Sequence, residues 1–526
     1  MKHIKLILIV FVAMLFASCN DFLSTLPDNR TQLDNVDKIS QLLVSAYPSA
    51  NYSTLAELSS DNFVDNNAIL PVNLTSFEPM DDQIFAWEDA TKSTDQDSPS
   101  DVWGKCYGAI SAANHALAAI EELESKDPNL KLKEQRGEAL MCRAYGHFIL
   151  VNIFAQAYKD DAASTFDIGI PYATKPETVV QGNYIRENVT AVYQKIQQDI
   201  EEGIVLISDQ KYKVPKYHFN QKAAKAFAAR FFLYKRDYQK VLLYSNDVLG
   251  ADPTVMMREW TKYYGSTAEI GFDYINTELP CNLLIMPTLS TFNRIFGTRY
   301  GHNGEAMYSS TYGAGPTWTG SMPCFDGKLY ISVQQDYGVF FPKCDEMFEF
   351  TDKVAGIGFT HVTRAEFTIE ETLLCRAEAL VYLNRIPEAV ADLQVWNKSH
   401  LAPNTLTEAL IKSFYISSNT LFVKKLNANK MSSSFVVKTT QLPFINCILH
   451  FRRIETIFDG YRWFDLKRYG IEITHAIGKG RTETLLYNDE RRAIQLPQEV
   501  ISSGITPNPR KLSPIPANTI QLFQHP

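Results

Sequence analysis

Apolar residues recur three and four positions apart along much of this chain, the spacing that places them on one buried face of a helix. The first such stretch carries Val36, Ile39, Leu42, Leu43, Ala46 and Tyr47. The helices predicted in this way cover residues 36–47, 101–123, 132–157, 189–200, 223–234, 238–249, 367–383 and 387–396. The pattern therefore predicts an all-α fold.

Short polar breaks join several of these helices into antiparallel pairs. The breaks lie at 127–128, 235–237 and 384–386. Small residues on the first helix of a pair, an aromatic residue near its end and an alanine or valine on the second are typical of tetratricopeptide helix pairs. Because each such pair buries its apolar face only against a neighbour, we expect a continuous tetratricopeptide-like scaffold.

Two long stretches lack this period. Residues 51–100 mix Asn, Ser, Pro and Asp with isolated aromatic residues, and residues 251–362 are rich in Gly, Pro, Thr, Asn and aromatic residues. Loops of this length are usually functional or carry some structure of their own. We therefore expect a single helical body from residue 35 to 526, with these two loop-rich excursions projecting from it.

The first eighteen residues have the composition of a secretory signal peptide. Lys2 and Lys5 precede an apolar run at 6–16, and small residues lead into Cys19. The run is shorter than the roughly 20 residues that a membrane-spanning helix needs. We expect cleavage before Cys19, a lipid anchor on Cys19 that includes palmitate, and a polar tether at 19–34. Ordinary secretion without a lipid is the alternative.

Composition excludes some classes of partner. The net charge is −8, and positive and negative residues are mixed along the chain, so no basic stripe is present to bind nucleic acid. Apart from Cys19 the chain has seven cysteines and no CxxC pair, which argues against a metal or redox motif. One disulfide among Cys281, Cys324 and Cys344 stays open.

The usual catalytic and cofactor motifs are missing. The chain has no HExxH, GxSxG or GxxxxGK[ST] sequence. The paired carboxylates at 81–82 and 121–122 are typical of a solvated charged face. Asp95, Asp97 and Asp101 are spaced like the start of a calcium loop, but the oxygen ligand and glycine that should follow are absent. We predict a protein without catalysis, cofactor or metal.

Several segments, in this order, resemble the SusD/RagB family of outer-membrane nutrient-binding lipoproteins. They are the lipoprotein start at 19–23, the segments 103–114 and 143–148, the stretch Arg453-Ile-Glu-Thr-Ile-Phe-Asp-Gly-Tyr-Arg-Trp-Phe-Asp-Leu-Lys-Arg-Tyr-Gly470, and the segments 493–500 and 507–510. The resemblance implies a SusD-like body of four helix-turn-helix pairs with a variable ligand region and no catalysis. It also implies a SusC-type TonB-dependent transporter as partner. The tail at 512–517 departs from the pattern, because it resembles a second copy of the family's terminal phrase.

Residues 453–470, which we call the late motif, carry both aromatic and charged side chains. In a helix through this region, Ile454, Phe458, Tyr461, Trp463 and Leu466 share a buried side. The charged residues left for pairing are Arg453, Glu455, Asp465, Lys467 and Arg468. We expect core packing and ion pairs here, not a binding site.

A sugar site needs flat aromatic rings for the apolar faces of sugars and a few polar groups for the hydroxyls. The candidates in the second excursion are Trp260, Tyr263, Tyr264, Arg299, Tyr300, Asn303, Tyr308, Tyr312 and Trp318. Trp318 ranks first, because the glycines and proline at 313–320 cannot form a stable helix and would project its ring from a loop. Trp87, in the first excursion, is a candidate platform on the other side. The alternative is that these rings pack the excursion onto the helices.

Together these observations predict a lipid-anchored outer-membrane protein, exposed at the cell surface, that binds an oligosaccharide or polysaccharide and passes it to the transporter. Three alternatives stay open. In the first, the cargo is a peptide instead of a glycan. In the second, the protein is a glycosidase whose catalytic carboxylates cannot be paired from the sequence. In the third, it is a structural surface protein without a small ligand.

Overall fold

A computed structural model describes residues 33–177, 182, 184–263, 267–325, 331–333, 338–340 and 342–510. The predicted signal peptide, Cys19, most of the tether and the tail after Arg510 lie outside the described residues. Within these ranges, no helix is both long enough and apolar enough to cross a membrane.

The described chain is largely helical, with a few small sheets. Its helices are α1 (Val36–Val44), α2 (Ser53–Ser59), α3 (Asn66–Ile69), α4 (Pro79–Phe85), α5 (Pro99–Lys126), α6 (Lys133–Phe154), α7 (Val189–Ile204), α8 (Gln221–Lys235), α9 (Tyr238–Leu249), α10 (Thr267–Tyr274), α11 (Gly304–Met307), α12 (Ile369–Tyr382), α13 (Ile386–Ser399), α14 (Glu408–Phe414), α15 (Ala428–Met431), α16 (Leu442–Glu455), α17 (Tyr461–Tyr469) and α18 (Gln498–Ser502). Every helix predicted from the apolar spacing is present, with ends that differ by a few residues.

The pair α8 and α9 shows how local sequence sets these ends. Asn220 and Asp237 stand at the two N-termini, and their side chains accept hydrogen bonds from the backbone N–H groups of Ala223 and Lys240, at 2.9 and 3.2 Å. Arg236 between the helices adopts a left-handed φ of 66°. The break predicted at 235–237 is therefore a tight turn. The finer tetratricopeptide-like character of the pairs stays a prediction.

The strands form four small antiparallel sheets. They are β1 (Val64–Asp65), β2 (Asn282–Leu289), β3 (Tyr300–Gly301), β4 (Ile331–Val333), β5 (Gly338–Phe340), β6 (Glu346–Asp352), β7 (Ile357–Thr368), β8 (Ile473–Ile477) and β9 (Arg481–Leu485). The largest sheet has the order β2-β7-β6 and lies mostly within the second excursion. The prediction of an irregular second excursion is wrong where these three strands lie. The short apolar run at β2 is a buried strand of a sheet, not a loop.

The late motif is also less regular than predicted. It contains the end of α16, a turn and α17, not one continuous helix. Phe458 and Gly460 in the turn have φ values of 68° and 82°. A Cβ on Gly460 would stand 2.8 Å from the Cβ of Ala56, so glycine permits both the turn and the close approach of α2.

Asp465 and Arg468 of this region form buried ion pairs, as predicted, whereas Lys467 donates to the backbone carbonyl oxygens of Asn152 and Ala155, both at 2.6 Å, and pairs with no carboxylate in the described residues. The guanidinium of Arg452 donates to Asp465 Oδ2 at 3.0 Å and to Glu371 Oε1 at 3.2 Å. Arg468 donates to Glu378 Oε2 at 2.6 Å. All five side chains are buried. These pairs join α12, α16 and α17, and the late motif is therefore structural.

Candidate functional site

The two excursions meet at the sheet formed by β1 and β3. Val64 pairs with Gly301 and Asp65 pairs with Tyr300. Next to this sheet, the side-chain amide of Asn303 donates to Asn66 Oδ1 at 3.0 Å. We call this junction the seam. It places the predicted ligand residues at 299–303 against the first excursion.

A charged cluster lies at the seam. Arg299 donates to Asp65 Oδ2 at 2.7 Å and to Asp82 Oδ1 at 3.0 Å, and the hydroxyl of Tyr300 donates to the same Asp82 oxygen at 2.7 Å. Asp65 is buried, whereas the Asp82 side chain is about half exposed. Burial and the Asp82 carboxylate raise the pKa of Tyr300, so its hydroxyl stays protonated. The cluster offers fixed donors and acceptors at the surface.

Two of the predicted residues stand at the ends of a buried ring stack. Trp87 stacks on His475 with centroids 4.1 Å apart, His475 on Phe85 at 4.2 Å, and Phe85 on Tyr300 at 4.5 Å. The indole N–H of Trp87 donates to the carbonyl oxygen of Ser59 at 3.0 Å. The Trp87 ring therefore supports the seam from within, and the structure does not present it to solvent as a platform.

Trp318 does not project from its loop. Its side chain is 3% exposed, its indole N–H donates to the carbonyl oxygen of Tyr312 at 3.0 Å, and its ring packs against Phe451 of α16. A Cβ on Gly315 would stand 2.1 Å from the Trp318 ring. The glycines therefore let the chain fold over the ring, which is the reverse of the exposure predicted from them.

The other rings of the second excursion differ in exposure. Tyr312 is buried, and so are Trp260 and Tyr263. The hydroxyl of Tyr263 accepts a hydrogen bond at 2.8 Å from the buried guanidinium of Arg258. Tyr308, in contrast, is 47% exposed. Among the predicted rings that the structure describes, Tyr308 is the one whose face a ligand can reach directly, and Tyr264 lies outside the described residues.

Asn303 has a positioning role in this segment. Its side-chain oxygen accepts a hydrogen bond from the backbone N–H of Ala306 at 3.2 Å and so caps α11, the helix that ends just before Tyr308. Arg299 is partly exposed, as its guanidinium spans the two aspartates. The structure therefore gathers 299–308 at the seam and buries most of the other predicted residues.

A cavity of about 310 Å³ lies elsewhere in the second excursion, and the sequence did not reveal it. It is lined by residues of α10, by β6 and β7, and by the segments that precede β3 and β6. Its exposed aromatic residue is Phe272. A search for tryptophan and tyrosine overlooks a site built from phenylalanine and aspartate.

The carboxylates weighed for calcium are engaged by protein donors. Asp97 Oδ2 accepts hydrogen bonds from the Ser290 hydroxyl at 3.0 Å and from the Thr291 backbone N–H at 2.9 Å, while Asp101 pairs with Lys105 at 2.7 Å. Burial raises the pKa of Asp97 to about 7. Within the described ranges, no group of three or more His, Cys, Asp or Glu side chains could hold a metal ion. The thiols of Cys281, Cys324 and Cys344 are free and buried.

Two family models match the chain. One, described as starch-binding associating with outer membrane, covers residues 21–233, and the SusD/RagB model, described as the SusD family, covers residues 330–524. No curated protein sequence matches the chain.

Solved structures show the same fold. A SusD superfamily protein from Bacteroides thetaiotaomicron VPI-5482 covers 90% of this chain and 99% of its own, with 17% identity and a TM-score of 0.58. A SusD superfamily protein from Bacteroides vulgatus ATCC 8482 covers 90% and 97%, with 17% identity and a TM-score of 0.61. A SusD-like carbohydrate binding protein from the same strain covers 91% and 98%, with 15% identity and a TM-score of 0.55.

The two family matches follow the order of the sequence motifs, and together they cover most of the chain. The fold is that of SusD superfamily proteins over nearly the whole length. The chain therefore belongs to the SusD/RagB family.

Proposed function

We propose that this protein is a non-catalytic binding protein, anchored through Cys19 at the cell surface, that captures a nutrient glycan and delivers it to a SusC-type TonB-dependent transporter of the outer membrane. Family membership supports this function, since one matching family model is described as starch-binding. A carbohydrate binding protein among the structural neighbours supports it further.

The observation that carries the proposal is the surface of the segment 299–308. Tyr308 exposes a flat ring, and the Asp82 and Arg299 side chains are held by one another at the nearby seam. Sugar sites combine an apolar platform with a small number of fixed polar groups. In this proposal Tyr308 stacks on a sugar face, and Arg299 and Asp82 bind sugar hydroxyls. Tyr300 and Asn303 hold these three side chains in position.

The remaining predicted residues take supporting roles in the proposed site. Trp87, Trp260, Tyr263, Tyr312 and Trp318 are buried and hold the two excursions on the helices. The helical scaffold supplies a rigid surface for the transporter, while the loops supply specificity. This division follows the general rule that binding residues lie on loops held by a rigid body.

Calorimetric titration tests the proposed function. The protein lacking residues 1–19 is titrated with maltoheptaose, xylohexaose, mannohexaose and a set of short peptides. The variants are Tyr308→Ala and, as a matched control in the segment between α7 and α8, Tyr217→Ala, whose side chain is 48% exposed against 47% for Tyr308. We expect at least one glycan to bind and Tyr308→Ala to weaken it about tenfold, with Tyr217→Ala unchanged.

Each other outcome selects an alternative. Binding of peptides alone would favour a peptide cargo, release of smaller sugars by the pure protein would establish a glycosidase, and no binding at all would favour a structural surface protein. Co-purification of the lipidated protein with a TonB-dependent transporter from outer membranes tests delivery. Absence of such a partner would contradict the delivery step while leaving glycan capture intact.

A further inference from the structure

The cavity in the second excursion has the shape and composition of a small-ligand site. Its volume of about 310 Å³ lies at the lower end of the roughly 300–1,000 Å³ typical of ligand pockets. Phe272 lines it with a ring that is 59% exposed, and Ile275 and Met347 add apolar surface. Asn293 and Asp345 supply polar groups in the same wall. The lining of the cavity is therefore part apolar and part polar.

The carboxylate of Asp345 lacks a donor. Its Oδ2 atom is buried and has no hydrogen-bond partner in the part of the chain that the structure describes. Burial raises the pKa of Asp345 to about 6. Because burial penalises the charged form of this partly buried carboxylate, a ligand group that donates a hydrogen bond to the carboxylate stabilises it.

The cavity is lined by charged residues of both signs. Lys343 lines it, and its buried ammonium group pairs with Asp459 at 2.7 Å. Asp345 and Glu346 line it as well, and Glu346 pairs with the guanidinium of Arg294 at 2.7 Å. A neutral ligand that carries hydroxyl groups can donate hydrogen bonds here without adding a net charge to the cavity.

The wall of the cavity continues along one face of the hairpin β6–β7. Met347 and Thr363 line the cavity, and Met347 pairs with His361 in the hairpin. Because side chains alternate between faces along a strand, Glu349 and Phe359, which pair with each other, lie on the same face as Met347. Phe359 is 51% exposed. It stands about 7 Å beyond Met347 along the hairpin, two residues at 3.3–3.4 Å each.

Polar groups accompany the apolar ones on this face. His361 Nε2 and Glu349 Oε2 lie 2.9 Å apart on the cavity face of the hairpin. The Glu349 side chain is largely exposed, so its other acceptor positions face solvent. Outward from the cavity, His361 beside Met347 is followed by Glu349 beside Phe359, which suits a chain of sugar units.

We propose that the cavity and this hairpin face form a glycan site distinct from the Tyr308 surface, with one sugar unit between Phe272 and Asp345 and the following units on the face that leads to Phe359. This inference rests on the proposed function in requiring a glycan as the cargo. The apolar face of the first sugar lies on Phe272, and one of its hydroxyls donates to the carboxylate of Asp345.

The hairpin offers a matched control for the test. Phe350 lies on the same hairpin and is 50% exposed, but it stands on the opposite face, because Phe350 pairs with Gly358 and Phe359 with Glu349. The variants are Phe272→Ala, Asp345→Asn, Phe359→Ala and Phe350→Ala, each titrated with maltoheptaose, xylohexaose and mannohexaose. Near-ultraviolet circular dichroism checks that each variant keeps its tertiary structure.

Calorimetry of the parent protein should resolve two sites for the glycan. We expect Phe272→Ala, Asp345→Asn and Phe359→Ala each to weaken one of these sites about tenfold or more while the Tyr308 site is kept, with Phe350→Ala unchanged at both. If the parent protein binds a glycan and all four variants bind it equally well, the cavity site is overturned and the proposed function stands. Equal losses in Phe359→Ala and Phe350→Ala would also overturn it, because the effect would not depend on the face. If the parent protein binds none of the three glycans, both proposals fail.

Discussion

The carboxylate of Asp345 lies directly against the Cα of Gly271 in the wall of the cavity. A Cβ placed on Gly271 would stand 2.3 Å from Asp345 Oδ2 and 3.0 Å from the carbonyl oxygen of Pro342. Real Cβ atoms do not approach other atoms to 2.3 Å, so any side chain at position 271 moves the carboxylate. The shape of the proposed sugar pocket therefore requires glycine at position 271.

Gly271→Ala is expected to weaken glycan binding about tenfold, because it displaces Asp345 from the pocket wall. The free energy of unfolding should change by no more than about 1 kcal/mol, since alanine is the better helix former and Asp345 is a side chain that can move. Gly104→Ala in α5 is the control, because a Cβ there meets no atom within 4 Å. Titration calorimetry and urea unfolding measure the two effects. If Gly271→Ala binds the glycan with unchanged affinity, Asp345 does not belong to the binding site.

Asp97 is expected to make stability depend on pH. Its pKa is about 7 in the folded protein and 3.8 ordinarily, so the folded state binds the extra proton between these values. Stability therefore falls as pH rises from about 4 to 7, by at most about 4 kcal/mol. Asp97→Asn should abolish this loss, and asparagine also tolerates the left-handed φ of 65° at this position.

Urea unfolding at pH 5 and pH 8 measures the effect of Asp97. The control is Asp37→Asn, an exposed aspartate in the first turn of α1. We expect Asp37→Asn to follow the parent protein at both pH values. If the difference between Asp97→Asn and the parent is the same at pH 5 and pH 8, Asp97 is ionised throughout and this reasoning is wrong.

The ion pair between Arg468 and Glu378 is expected to hold the core together. Arg468→Met leaves the buried Glu378 carboxylate without its guanidinium, which should lower the free energy of unfolding by about 3–5 kcal/mol. The exposed pair Arg385 and Glu388 is the control, and Glu388→Gln should leave the free energy of unfolding almost unchanged, because solvent screens this pair. Urea unfolding compares the two variants. Similar small losses in both would mean that the buried pair contributes little.

Trp318→Ala is expected to act on folding before it acts on binding. The ring is buried against α16, so its removal leaves a cavity that should cost about 3–5 kcal/mol. Trp318→Phe keeps most of the apolar contact and should bind glycans as the parent protein does. Thermal unfolding and calorimetry separate these effects. A folded Trp318→Phe variant that has lost glycan binding would return Trp318 to the binding site.

Cys19 is expected to tie the protein to the membrane. Cys19→Ala removes the acceptor of the lipid, and anchoring rests on acyl chains that contribute about 0.8 kcal/mol per buried CH₂ group. Metabolic labelling with palmitate and fractionation of membranes should show loss of label and release of the variant. Retention of the unlabelled variant in outer membranes would point to a different attachment.

The family of the protein was readable from the order of short motifs, and its helices were readable from apolar spacing. Both signals are read from residues that are near one another in the chain. A motif is a short run of residues, and a helix repeats every 3.6 residues whatever lies around it. The three-stranded sheet was missed, since β2 is a short apolar run whose partner strand β7 begins far along the chain. Short runs of this kind do not distinguish a buried strand from a piece of helix.

The sequence alone determined the helical scaffold and the family. It also predicted the leader with Cys19 and a scattered set of ligand residues, among them Arg299, Tyr300, Asn303 and Tyr308. Only the tertiary structure decided which aromatic rings face solvent. Trp318 is buried because its loop folds back over the ring. Phe272 and Phe359 are more than half exposed, because no segment of the described chain covers their rings to the same extent. Exposure depends on which distant segments pack against a ring, and that packing is set by contacts that no local pattern of residues records.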